Sequence, residues 1–146
     1  TAGVTYYLEL SNNAWENIEF DLKVELLSPF DNEGSILAPV TVTDTTTYRG
    51  SVGHEWYQIY SYYKVTTSSG NGTYDISVSN LSVAQDLDIY IYSDSTFDNL
   101  IDLSSDPSTS GDSVALTLED NTTYYIMIAN YDQTSAVEFD LDVVGP

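Results

Sequence analysis

The chain has no cysteine, one histidine and only three basic residues among 146. Without thiols it forms no disulfide and builds no Cys-type zinc site. His54 stands alone, with no nucleophile motif or second histidine to suggest acid–base work, and reads as a loop residue. Three Lys+Arg against 23 Asp+Glu give a formal charge of -20. That balance excludes nucleic acid, whose phosphates need cations, and excludes docking on anionic lipid. No apolar run reaches the roughly 18 residues of a membrane span, so no membrane insertion is expected. Apolar residues at helical spacing are not sustained for three turns anywhere.

Strand formers fill the remainder. Thirteen Tyr, 2 Trp and 4 Phe stand among Thr, Val and Ile, with Asn, Asp, Ser and Gly between the runs. The expected fold class is all-β. Strands are predicted at 4–11, 18–27, 40–48 (an edge strand), 55–66, 73–79, 86–93, 114–118, 122–130 and 136–144, with 94–112 as a long exposed loop. In DLDIYIY, Leu87, Ile89 and Ile91 face one way, and Asp86, Asp88, Tyr90 and Tyr92 the other. In the most aromatic segment, Tyr57, Ile59 and Tyr63 are expected inward and Trp56, Tyr60 and Tyr62 outward.

The sequence also repeats itself. Thr-Tyr-Tyr at Thr5 recurs at Thr123, Asn12 matches Asn130, and Glu19-Phe-Asp-Leu22 recurs as Glu138-Phe-Asp-Leu141. The spacing is about one domain length, far longer than a solenoid repeat. Residues 1–30 are therefore expected to form an N-terminal hairpin repeating the last two strands, ahead of a domain at 31–146. Tyr6, Leu8, Leu10, Trp15, Phe20 and Leu22 are its candidate assembly residues. A lone hairpin is marginal in water, so it packs either on its own domain or on a neighbouring molecule.

Five motifs in order complete a pattern: Glu55-Trp-Tyr-Gln-Ile59, Gly72-Thr-Tyr-Asp-Ile-Ser-Val78, Asp86-Leu-Asp-Ile-Tyr-Ile-Tyr92, Thr123-Tyr-Tyr-Ile-Met-Ile128 and Phe139-Asp-Leu-Asp-Val143. Together they resemble the bacterial pre-peptidase C-terminal (PPC) domain family over about 31–146. The resemblance implies a jelly-roll-like antiparallel β-sandwich, here with the extra N-terminal β-hairpin. It also implies a non-catalytic accessory of secreted or cell-surface proteins. Related collagen-binding domains of clostridial collagenases bind collagen and Ca²⁺. Their calcium positions correspond to the linker Asp31, Asn32 and Glu33 and to the turn Gly53-His54-Glu55, where only Glu55 keeps a carboxylate.

Two functions follow as expectations, neither enzymatic. The first is an extracellular or cell-surface structural subunit that assembles with itself, as a homo-oligomer or tandem array, through strand or hairpin complementation. The second is an accessory module of a secreted hydrolase. It would present Trp56, Tyr60 and Tyr62 to a glycan or a fibrous protein, although the N-terminal hairpin would bury the same outward aromatics if it packed there. No cofactor is required. Calcium is a candidate ligand, at the linker positions, Glu55, or the strand carboxylates Asp86 and Asp88, whose alternative reading is a solvated face. The loop acids Asp94, Asp98, Asp102, Asp106 and Asp112 lack EF-hand spacing and read as solvated. Asn71, Asn80 and Asn121 head N-x-[ST] sequons, which matter only in a source that glycosylates asparagine. The chain starts at Thr1 without a leader and reads as a processed product, which leaves secretion open.

Overall fold

Alternating apolar and polar residues sort into nine strands in the computed structural model, which describes residues 34–54, 58–69 and 72–146. In chain order these are β1 (Val40–Val42), β2 (Tyr48–Val52), β3 (Tyr60–Thr66), β4 (Gly72–Ser79), β5 (Leu87–Tyr92), β6 (Leu100–Ser104), β7 (Asp112–Leu118), β8 (Thr123–Asn130) and β9 (Val137–Val144). They form two sheets, ordered β1-β3-β8-β5-β6 and β2-β9-β4-β7. Pairings are antiparallel except β1 with β3, which is parallel. The chain changes sheet at most connections. The β5–β6 pair is the exception, a true hairpin within one sheet. The molecule is thus an all-β, jelly-roll-like sandwich.

The core lies between the sheets, filled by the inward residue of each alternating pair. Tyr63, Val65, Leu87, Ile89, Ile91, Ile126 and Ile128 come from the five-stranded sheet. Tyr74, Ile76, Val78, Phe139, Leu141 and Val143 meet them from the four-stranded one. Each such side chain contributes about 1.5–3 kcal/mol by leaving water. Tyr63 is wholly buried yet polar at its tip. Its hydroxyl accepts from the Ser51 N–H at 3.3 Å and donates to the Ser51 carbonyl at 3.4 Å, while its ring packs edge-on against Tyr48 and Phe139. Gly50 makes this possible, because a Cβ there would stand 2.6 Å from the Tyr63 hydroxyl and 2.7 Å from the Phe139 ring.

Three sequence expectations change. The 40–48 segment divides at a turn, so that β1 edges one sheet and Tyr48 opens β2 in the other. The loop expected at 94–112 contains β6, which pairs with β5. The final two strands are an arch across the sandwich, since β8 joins one sheet and β9 the other. The arch is held by Asn130, which is 1 % exposed. Its Nδ2 donates to the carbonyls of Gly53 and Ser135, both at 2.8 Å, and its Oδ1 accepts from the Gln133 N–H at 3.1 Å. Gln85 Oε1 accepts from the Thr134 hydroxyl and from the N–H groups of Thr134 and Ser135. These bonds turn the chain out of one sheet and into the other. The N-terminal segment that repeats β8–β9 lies outside the described residues.

Replacing Asn130 with Ala strands the buried Gly53 carbonyl and the partly buried Ser135 carbonyl and Gln133 N–H; a fully buried group costs about 1–3 kcal/mol when unpaired. Urea unfolding of Asn130→Ala should show a loss of about 2–4 kcal/mol; a change below about 0.5 kcal/mol would mean that the arch is held by packing alone.

Candidate ligand-binding face

The strand period that buries Tyr63 must turn its neighbours outward. On the outer face of the five-stranded sheet the register aligns side chains in rows. Tyr60 lies opposite Ala129, which lies opposite Asp88. The next row runs Tyr62, Met127, Tyr90, Leu103, and the third Lys64, Tyr125, Tyr92, Leu100. With strands about 4.8 Å apart, these rings form a continuous surface. Tyr60, Leu100 and Leu103 remain 41–43 % exposed; Tyr62, Tyr90, Tyr92, Tyr125 and Met127 are half-buried.

Phe97 joins the face from the β5–β6 turn. Its ring meets Tyr62, Tyr92 and Tyr125 edge-on, with centroids 4.9, 5.3 and 5.6 Å apart. Reaching that position requires a left-handed backbone (φ 58°), which costs a non-glycine residue about 1–2 kcal/mol. Three edge-to-face contacts at about 0.5–1.5 kcal/mol each offset this. Asp94 holds the turn: its carboxylate accepts the N–H groups of Thr96, Asp98 and Asn99 at 3.0, 3.3 and 2.7 Å, and the Thr96 hydroxyl. The same donors lower the Asp94 pKa, the Thr96 side chain most.

Tyr62, Tyr90 and Tyr92 stay protonated well beyond neutral pH. Burial raises Tyr62 and Tyr92, with neighbouring tyrosines adding to it. Tyr90 is pushed up to about 12, first by burial and then by the Asp88 charge, and donates to Asp88 Oδ2 at 3.1 Å. At the Tyr90 end the face breaks into a notch of about 420 Å³ lined by Asp86, Asp88, Tyr90, Ser105, Pro107 and Tyr131. Asp88 is only 5 % exposed, which corrects its expected place on a solvated face. Asp112, expected to be solvated, is also buried: its Oδ1 accepts from the Ser104 hydroxyl and the Ser113 N–H. Burial raises the Asp88 pKa, and the Asp86 and Asp112 charges add to it. Burial also raises Asp86, helped by the charges of Asp132 and Asp112.

Of the expected interaction residues, Tyr60 and Tyr62 stand together on this face, and Trp56 lies outside the described residues. Tyr63 points inward as expected. Tyr92, expected outward from its strand, completes the surface with Phe97, Tyr125 and Met127, which were not singled out in sequence. The Tyr90/Tyr92 alternation was a signal for part of it; Phe97 carried only an Asx-turn pattern, Asp94 followed by Thr96 and Asn99. Asp31, Asn32, Glu33 and Glu55 fall outside the described residues, as do Asn71 and the assembly residues Tyr6, Leu8, Leu10, Trp15, Phe20 and Leu22. Asp86 and Asp88 are neighbours, but among the described residues no group of three or more His, Asp or Glu could hold a metal ion. Asn121 is exposed on the β7–β8 turn. Asn80 is exposed as well, and its Nδ2 donates to Asp140 at 2.8 Å, beside the Arg49–Asp140 ion pair at 2.9 Å.

No protein-family model matches the sequence, and no curated protein matches it. Among solved structures, the chain is similar to the pre-peptidase C-terminal domain of a collagenase from Bacillus anthracis. The TM-score is 0.56 at 18 % identity, over 72 % of this chain and 93 % of that one. The sandwich therefore has the PPC fold that the five motifs suggested.

The carboxylates set a direction for pH. Asp86 and Asp88 have raised folded pKa values, so their contribution to stability is fullest below the ordinary carboxylate range and is lost as pH rises through the raised values. Asp44, Asp94 and Asp140 are lowered, by Ser68, Thr96, and Asn80 with Arg49 respectively. They act oppositely, losing their contribution as pH falls through the lowered values. Asp88→Asn should therefore melt above the unmodified chain at pH 7, the difference closing near pH 4. A lower melting temperature at pH 7 would contradict the assigned repulsion.

Proposed function

We propose that this domain is a non-catalytic, extracellular binding module that holds a secreted or cell-surface hydrolase on a fibrous polypeptide. The observation that carries the reading is the row of tyrosines on one sheet face, continued by Phe97, Met127, Leu100 and Leu103. Flat aromatic surfaces with hydroxyls at their rims suit an extended chain, which gains area from the rings and orientation from the hydroxyls. Apolar residues grouped on an outer face are also what marks an interaction surface on a soluble domain. The likeness to a collagenase domain supports a fibrous protein as the ligand class and an extracellular location.

Self-assembly through a donated N-terminal hairpin is less well supported. The strands it repeats are gripped by β3 and β5 on one side of the sandwich and by β2 and β4 on the other. A two-stranded unit copied from such an arch would need partners in two sheets at once. Calcium remains a separate expectation, carried by the linker acids.

Retention on insoluble collagen, read by co-sedimentation, tests the proposal. Tyr62→Ala with Tyr92→Ala should weaken it at least tenfold while the chain stays folded, as expected if two ring anchors each carry more than about 1 kcal/mol. Retention on insoluble polysaccharide instead would assign the face to glycan. No retention on either, including by a form lacking residues 1–30, would end the binding reading.

A further inference from the structure

The two outer faces of the sandwich are unlike each other. On the four-stranded sheet the outward rows read Arg49, Asp140, Ser79 and Asp142, Ser77, Ser113, a surface suited to water. The five-stranded sheet carries rings and aliphatic chains instead, and the chain enters the sandwich at the edge of that sheet. The Gly34 carbonyl accepts from the Tyr62 N–H at 3.2 Å and from Gln58 Nε2 at 3.3 Å. The chain is pressed so close to β3 that a Cβ on Gly34 would stand 1.7 Å from the Tyr62 carbonyl oxygen. The turn that follows holds Ile36 and Leu37 out to solvent. Only residues 28–33 separate Leu27 from Gly34, a reach of about 25 Å at most. From β3 to β6 the sheet is about 14 Å wide, so residues 18–27 are tethered within reach of every row.

The stretches 4–11 and 18–27 repeat apolar residues at every second position: Tyr6, Leu8 and Leu10 in one, Phe20, Leu22 and Val24 in the other. They copy buried positions of β8 and β9, yet the sandwich already holds those two strands inside its sheets. Their apolar sides need another surface. We infer that residues 1–30 dock these sides on the tyrosine face of their own chain, so that a ligand of the face must displace them. The displacement rests on the binding-module reading; the docking does not. Charge agrees with it. Lys64, in the third row of the face, has no ion pair among the described residues, and residues 1–30 bring five acids against one lysine. A face open about one-tenth of the time binds about tenfold more weakly than one always open. The docked segment thus sets the apparent affinity of the module.

The chain has no cysteine, so Asn13→Cys, between the two stretches, accepts a nitroxide at a single place. In NMR of that full chain the Met127 methyl and the Leu103 amide should lose more signal than the Ser77 and Asp142 amides of the opposite sheet. Adding Phe20→Ser with Leu22→Ser, both outside the described sandwich, should abolish the loss and raise retention on collagen at least tenfold. Equal or greater loss on the opposite sheet would overturn the docking. So would a loss unchanged by the serine pair, or one that arises only between a nitroxide-bearing chain and a second, isotope-labelled chain. Loss at Met127 with no collagen retention by the serine variant would keep the docking and remove the binding module. Full retention by the unmodified chain with no loss at Met127 would do the reverse.

Discussion

Everything on the outer face depends on the register of three strands, β3, β8 and β5. Successive residues on a strand point to opposite sides, and a slip by one would exchange the two sets. Tyr63, Ile126, Ile128, Ile89 and Ile91 are wholly buried, so the register is held by the core. That constraint leaves no freedom to Tyr62, Met127 and Tyr90, which must then stand in one row outside. The proposed binding surface is the reverse side of a fully buried layer. A ligand of a face held in this way would not have to order it, which would reduce the entropy lost on binding.

Two local devices finish what the register begins. Asp94 forces a turn that brings Phe97 over three tyrosines at the cost of a left-handed residue. At the other end, Asp88 lies under the Tyr90 hydroxyl and beside Asp86, in a place where charge is poorly hydrated. Burial of Asp86 and Asp88 there works against stability at neutral pH.

Much of this was legible in sequence, for a reason particular residues make plain. DLDIYIY alternates strictly, so its inward and outward sets could be assigned without coordinates, and YSYYKV gave Tyr63 inward and Tyr60 and Tyr62 outward in the same way. Properties that arise from distant segments were not legible. Asp88 sits on an outward position, yet it is only 5 % exposed and accepts a hydrogen bond from the Tyr90 hydroxyl. LIDLS, within a polar stretch, looks like loop and becomes β6 only through pairing with β5. The short connection after Asn130 suggested a hairpin, but the Asn130 and Gln85 amides steer it across the sandwich. Residues 1–30 repeat the β8–β9 arch at its buried positions: Tyr6, Leu8, Leu10, Phe20 and Leu22 match Tyr124, Ile126, Ile128, Phe139 and Leu141.

The chain contains one methionine, Met127, and it lies in the middle row between Tyr62 and Tyr90. Labelling its methyl group with ¹³C places a single reporter at the centre of the face. Titration of the full chain with a soluble triple-helical collagen peptide should shift or broaden that signal in proportion to bound ligand. If the peptide binds while the Met127 methyl signal stays unchanged, the ligand sits elsewhere and the outer sheet face is not the binding surface.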